Sequence, residues 1–111
     1  MEMIGKLIDI GPVRHLTGSL INRNFGIEYL GEAGPQRAYF QLYQYRCNLL
    51  DRFRLGDLVH VRYFIRGNRW TGEEGVPKYY NNLVALDLEE VLLDLNRGLG
   101  RSLNIIVTSQ Q

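Results

Sequence analysis

The sequence predicts an all-β fold, a small five-stranded barrel with one short helix, and three observations carry that prediction. Five stretches alternate apolar with polar or small residues at a period of two. Breaks rich in Gly and Pro separate them at the spacing of a small barrel. The period changes only once, over residues 44–53. At 111 residues the chain suits one core, because two would each be undersized.

The first strand is expected over Met3–Val13, with Gly11-Pro12 as its breaker. In the second, Asn22–Leu30, Phe25, Ile27 and Tyr29 share one side and Asn24, Gly26 and Glu28 the other, before Gly31 and Gly34-Pro35. The third, Arg37–Tyr43, turns Ala38, Phe40 and Leu42 inward and leaves Arg37, Tyr39, Gln41 and Tyr43 on an aromatic outer side. Cys47, Leu50 and Phe53, with Leu49, then recur at three- and four-residue spacing, which suits a short helix over Gln44–Phe53 ended by Leu55-Gly56-Asp57. The fourth strand, Leu58–Gly67, sets Val59, Val61, Tyr63 and Ile65 against His60, Arg62, Phe64 and Arg66. A long hairpin loop, Asn68–Pro77, leads to the fifth strand, Lys78–Leu88. Three strands, a short helix and a two-strand hairpin give the connectivity of an OB-fold barrel over residues 1–90. Residues 91–111 form an apolar C-terminal extension, read as a short helix and an added strand, that packs on the barrel or on a second subunit.

No apolar run approaches the roughly 20 residues of a membrane span. The N-terminus lacks a basic region followed by a long apolar stretch, so a cytoplasmic location is expected. Cys47 stands alone and reads as core packing; with His15 and His60 isolated, no metal site and no cofactor are expected. No phosphate loop or nucleophile arrangement is present, so no enzymatic activity is expected. The net charge of +1 is low for a protein living on phosphate contacts. Distribution is more informative: eleven of the thirteen Lys and Arg precede residue 83, against eight of the twelve acids.

Single strands are held by stacking bases on aromatic rings while basic side chains follow the phosphates, and the sequence interleaves the two types. The fourth strand offers Arg62, Phe64 and Arg66; the loop stem adds Arg69 and Trp70; the third and fifth strands add Arg37, Tyr39, Tyr43, Lys78 and Tyr79. Phe64 fits a packing role equally well, and Tyr80, also on the fifth strand, fits either the groove or the core. Glu73 and Glu74 at the loop tip would repel a phosphate chain and are expected to project into solvent.

Gly56-Asp57-Leu58-Val59-His60-Val61, then Ile65-Arg66-Gly67-Asn68-Arg69-Trp70 and Tyr80-Asn81-Asn82-Leu83-Val84-Ala85, resemble the bacterial single-stranded DNA-binding protein family. Gly5-Lys6-Leu7 resembles its first strand, and Ala38 to Leu50 is similar to short bacterial OB proteins. The resemblance implies a barrel that coats single strands, DNA favoured, with little sequence preference. The chain departs from the family where Pro35 or Gln36 and Gln41 replace strand-three aromatics, for which Tyr39 or Tyr43 substitutes. Tyr63 stands where a small residue is usual, and no Gly-rich linker with an acidic tip is seen before Gln111. These departures point to a specialised or mobile-element relative. Because one barrel has a small footprint, a homo-oligomer, dimer or tetramer, is expected, with the segments Val91–Leu95 and Leu103–Val107 at the interface. The competing reading is a protein-interaction or assembly module, since OB-folds host that role too.

Overall fold

A computed structural model describes residues 1–72, 74–94 and 104–108. Its strands are β1 (Glu2–Ile10), β2 (Arg14–His15), β3 (Ile21–Gly31), β4 (Gly34–Tyr43), β5 (Leu58–Thr71), β6 (Pro77–Asp94) and β7 (Asn104–Thr108), with a 3-10 helix at Gln44–Arg52. The barrel is the five-stranded OB-fold, made of β1, β3, β4, β5 and β6. Around it β1 pairs β5, β5 pairs β6, β6 meets β4 in parallel, and β4 pairs β3, which pairs β1 again.

Closure falls on β1, which serves two partners in succession. Residues 2–6 pair β5 and residues 6–10 pair β3, with a bulge between Leu7 and Asp9 that bends the strand from one to the other. Gly5 sits at this crossing, where a Cβ would lie 2.5 Å from the Glu28 carbonyl oxygen. Only a residue without a side chain lets the strands approach so closely.

The interior is filled by the inward residues of each strand: Leu7, Phe25, Ile27, Phe40, Leu42, Val59, Val61, Ala85 and Leu88. Phe25 and Phe40, opposite each other on β3 and β4, stack at 5.2 Å, and Tyr63 meets Phe40 edge-on at 5.0 Å. Tyr63 thus fits at the rim of the core, half-buried. A register shift between Arg62 and Tyr63, with Leu86 as the extra residue on β6, keeps both Ala85 and Leu88 inward. Cys47, Leu50 and Phe53 cover one end of the barrel. Their spacing of three matches the 3-10 repeat. Arg23 fastens the helix: it donates to the Cys47 carbonyl at 3.1 Å, to Asp51 at 2.7 Å and, through Nε, to the Gly11 carbonyl at 2.7 Å.

Three expectations are corrected. The fourth strand does not end at Gly67; β5 continues through Thr71, so Trp70 belongs to a strand paired with Lys78 rather than to a loop stem. Ile65 has inward parity but is half exposed, because the β5–β6 ribbon leaves the barrel beyond Tyr63 and projects as an arm. Residues 89–94, where a helix was one reading, continue β6, and β7 is an added strand that pairs with its end. Leu95 to Leu103 of the extension lie outside the described residues. Among the described residues no helix is long and apolar enough to cross a membrane.

Two outcomes test this account. Gly5→Ala overpacks the β1–β3 crossing and is expected to cost about 2 kcal/mol, lowering the thermal midpoint by roughly 10 °C. Gly67→Ala on the arm, where the nearest atom to a Cβ is 3.6 Å away, leaves it unchanged. Burial pushes the Cys47 thiol up, against a smaller opposing pull from Arg23. Below the thiol range of about 8.5 both folded and unfolded chains hold the proton; above it the unfolded chain releases it first, so stability falls as pH rises. Urea midpoints at pH 7 and pH 10 are expected to separate more for the wild type than for Cys47→Ala.

Candidate nucleic-acid interface

The outward residues of β4, β6 and β5 form one continuous face. Gln41 on β4, Val84 on β6 and Phe64 on β5 stand in one row across it. Moving out along the arm, Arg66 faces Asn82, Asn68 faces Tyr80, and Trp70 faces Lys78. Directly opposed residues point to the same side of a sheet, so Phe64, Arg66, Trp70 and Lys78 share this face with Tyr39 and Tyr43. Arg37 belongs to the same side of β4, paired to Glu28 at 3.4 Å.

At the barrel end of this face, Arg66 donates to the Tyr43 hydroxyl at 2.6 Å and lies 4.9 Å from the centre of its ring. Tyr43 in turn donates to Gln41 at 2.7 Å. Arg66 and Tyr43 stand on strands either side of β6, so their bond passes over it at Val84. Val84 is accordingly buried although it lies outside the main core. Arg66 therefore brings its charge to the face in a fixed position, with Tyr43 engaged beneath it.

At the outer end the Trp70 ring is 54% exposed, with the Lys78 ammonium 5.9 Å from its centre. The ring lies over Gly72, where a Cβ would come within 2.8 Å of it. Tyr39 is bedded in the same way on Gly26, whose Cβ would stand 3.0 Å from the ring. Glycine at these two positions lets an aromatic ring approach the backbone more closely than a Cβ would allow.

Two of the expected residues are not on this face. Arg69 and Tyr79 oppose each other on the reverse side of the arm, with Ile65 and Leu83. Arg62 lies on the outer side but between acids, with Glu2 as its register partner on β1 and Asp87 on β6. His60, expected among arginines, is instead between Glu2 at 3.4 Å and Glu89 at 3.8 Å. Tyr80, for which the core was one of two readings, is half exposed beside Asn68 on the outer face. Sequence reasoning also passed over Asn81 and Asn82. Asparagine is depleted in strands, so two in succession within one were the available signal.

β4 and β6 touch only at Phe40–Leu83 and Gln41–Val84, and their preceding residues diverge. The gap is a cleft of about 510 Å³ between the β3–β4 hairpin and the arm, lined by Arg37, Tyr39, Gln41, Asn24, Asn81 and Asn82 among others. A smaller recess of about 340 Å³ lies at the arm tip around Trp70, Val76 and Lys78. Among the described residues there is no cluster of three metal-binding side chains.

The fold is shared with solved structures at low sequence identity. The mitochondrial single-stranded DNA binding protein Rim1 of S. cerevisiae aligns with a TM-score of 0.61 and 16% identity, over 81% of this chain and 91% of that one. The protein PriB of Ralstonia solanacearum aligns with a TM-score of 0.60 and 14% identity, over 81% and 94%. Comparison with curated proteins found no match. The family model described as Domain of unknown function (DUF3127) matches residues 2–89, so the likeness to single-strand binders stands at the level of the fold.

The bedding of Trp70 is open to test. Gly72→Ala is expected to lift the ring and change the position or intensity of Trp70 emission while the far-UV circular dichroism stays as it was. Unchanged emission would show that the ring does not rest on Gly72.

Proposed function

We propose, from the premise that the chain belongs to the DUF3127 family, that this OB-fold domain binds single-stranded nucleic acid, DNA favoured, by stacking bases and neutralising phosphates. The observation that carries the reading is the outer face of β4, β6 and β5, which sets Tyr39, Phe64 and Trp70 in one surface with Arg66 and Lys78. Each stacked base is worth about 1–3 kcal/mol, and the cations follow the backbone between rings. The likeness of fold to a protein described as a single-stranded DNA binding protein supports the reading. So does the placement of the rings: Tyr39 is exposed on a sheet whose opposite side is the filled core, and Phe64 and Trp70 continue the same face onto the arm.

On this reading the strand runs along the face from Tyr39 across the arm to Trp70. Arg69 and Tyr79, on the reverse of the arm, serve a strand that wraps over its edge. Arg62, flanked by Glu2 and Asp87, contributes least of the cations. One barrel covers few nucleotides, so useful affinity comes from a homo-oligomer whose linked sites raise the effective concentration.

Titration of the full chain with a 20-nucleotide homopolymer at low salt tests the proposal. Trp70, the only tryptophan, is expected to be quenched. With about three phosphate contacts, log K should fall against log salt with a slope of about −2. Trp70→Ala is expected to weaken binding about tenfold with the melting temperature unchanged. Unaltered emission together with no mobility shift would remove the nucleic-acid reading and leave the assembly-module reading in its place.

A further inference from the structure

The cleft between β4 and β6 has a lining that stacking and phosphate neutralisation do not require. Every base has a π-face, so a groove that only stacks is indifferent to base identity. This cleft carries carboxamides instead. Asn24 lines it from β3, and its Oδ1 is shut off from solvent without a hydrogen-bond partner. Asn81 and Asn82 line it from β6. The side-chain hydrogen bonds of this region run among Gln41, Tyr43 and Arg66, and among the described residues neither of those amides has a side-chain hydrogen bond.

A carboxamide presents a donor and an acceptor side by side, which is the arrangement along the hydrogen-bonding edge of a nucleobase. The exposed Tyr39 ring, set against Gly26, supplies a stacking surface at the same place. Arg37 at the cleft is held by Glu28, so the local charge is balanced and the lining suits a neutral base better than a phosphate. The volume of about 510 Å³ lies in the ordinary range for small-ligand sites and admits a single splayed base.

We infer that this cleft is a subsite for one unstacked nucleobase, seated on Tyr39 and read along its hydrogen-bonding edge by Asn24 and Asn82 on the outer side, with Asn81 meeting it from the opposite side of β6. Binding then carries a base preference at one position of an otherwise sequence-tolerant groove. The inference rests on the single-strand reading above, and the experiment separates the two.

Fluorescence anisotropy with labelled dA20, dC20 and dT20 at one salt concentration, on the full chain, is the measurement. The variants are the double substitution Asn81→Ala with Asn82→Ala, its Thr counterpart, which restores strand-forming side chains, and Trp70→Ala. The double variants are expected to lose about tenfold on the preferred homopolymer and to keep the weakest within about threefold, so that the ratios between homopolymers collapse. Trp70→Ala should weaken all three alike. Equal losses on all three in the Asn variants, or ratios that do not move, overturn the base-reading role while leaving the single-strand reading standing. Failure of the wild type to bind any of the three removes both.

Discussion

The molecule depends on one strand answering to two neighbours. β1 pairs β5 over its first half and β3 over its second, and the barrel closes only because the chain passes Gly5 without a side chain and bends at the Leu7–Asp9 bulge. Closure removes the sheet edges that a five-stranded open array would expose. It also encloses a volume that the ladder of Phe25, Phe40 and their neighbours fills. With the interior occupied by side chains, any ligand of this domain is met on the outside.

The same closure decides where the outside becomes useful. Tyr63, edge-on to Phe40, is the last β5 residue to pack against the core, and beyond the covered pair Leu83 and Val84 of β6 the two strands continue as a ribbon. β4 and β6 touch at two residue pairs and then separate, because one strand follows the barrel and the other follows the ribbon. The cleft and the arm are therefore one geometric event. Aromatic rings stand on both sides of it, Tyr39 on the barrel and Trp70 on the ribbon. The Arg66–Tyr43 bond straps the two supports together across Val84.

Much of the fold was legible because a barrel has one covered face, and period-two alternation reports that face directly. Phe25, Ile27, Phe40, Leu42, Val59 and Val61 all point where their parity placed them. Alternation says nothing about how far the cover extends. Ile65 continues the inward series yet lies beyond the core, and Trp70 looked like a loop residue because Gly67, Asn68 and Arg69 before it are weak strand formers. The bulge at Leu86 leaves no trace in composition, so the parity of β6 was not readable across it. For the candidate site, the residue types were legible and their sides were not. Arg69 and Tyr79 were separated from Trp70 and Lys78 by a register that only the pairing of β5 with β6 reveals. Arg62 looked available because its acidic neighbours, Glu2 and Asp87, come from distant parts of the chain.

The arm has a further consequence for how this domain responds to damage. A two-stranded ribbon beyond the core draws its order from its own backbone ladder and from cross-strand pairs such as Trp70 with Lys78, and such ribbons are marginal by themselves. The barrel opens globally, whereas the ribbon opens locally and at much lower free energy. Local order and global integrity are thus set by separate parts of one short chain. A substitution that loosens the Phe25–Phe40 stack leaves the arm's ladder intact up to the temperature at which the whole barrel melts. One that frays the ribbon loosens the setting of Trp70 and Lys78 at every temperature without moving that melting point.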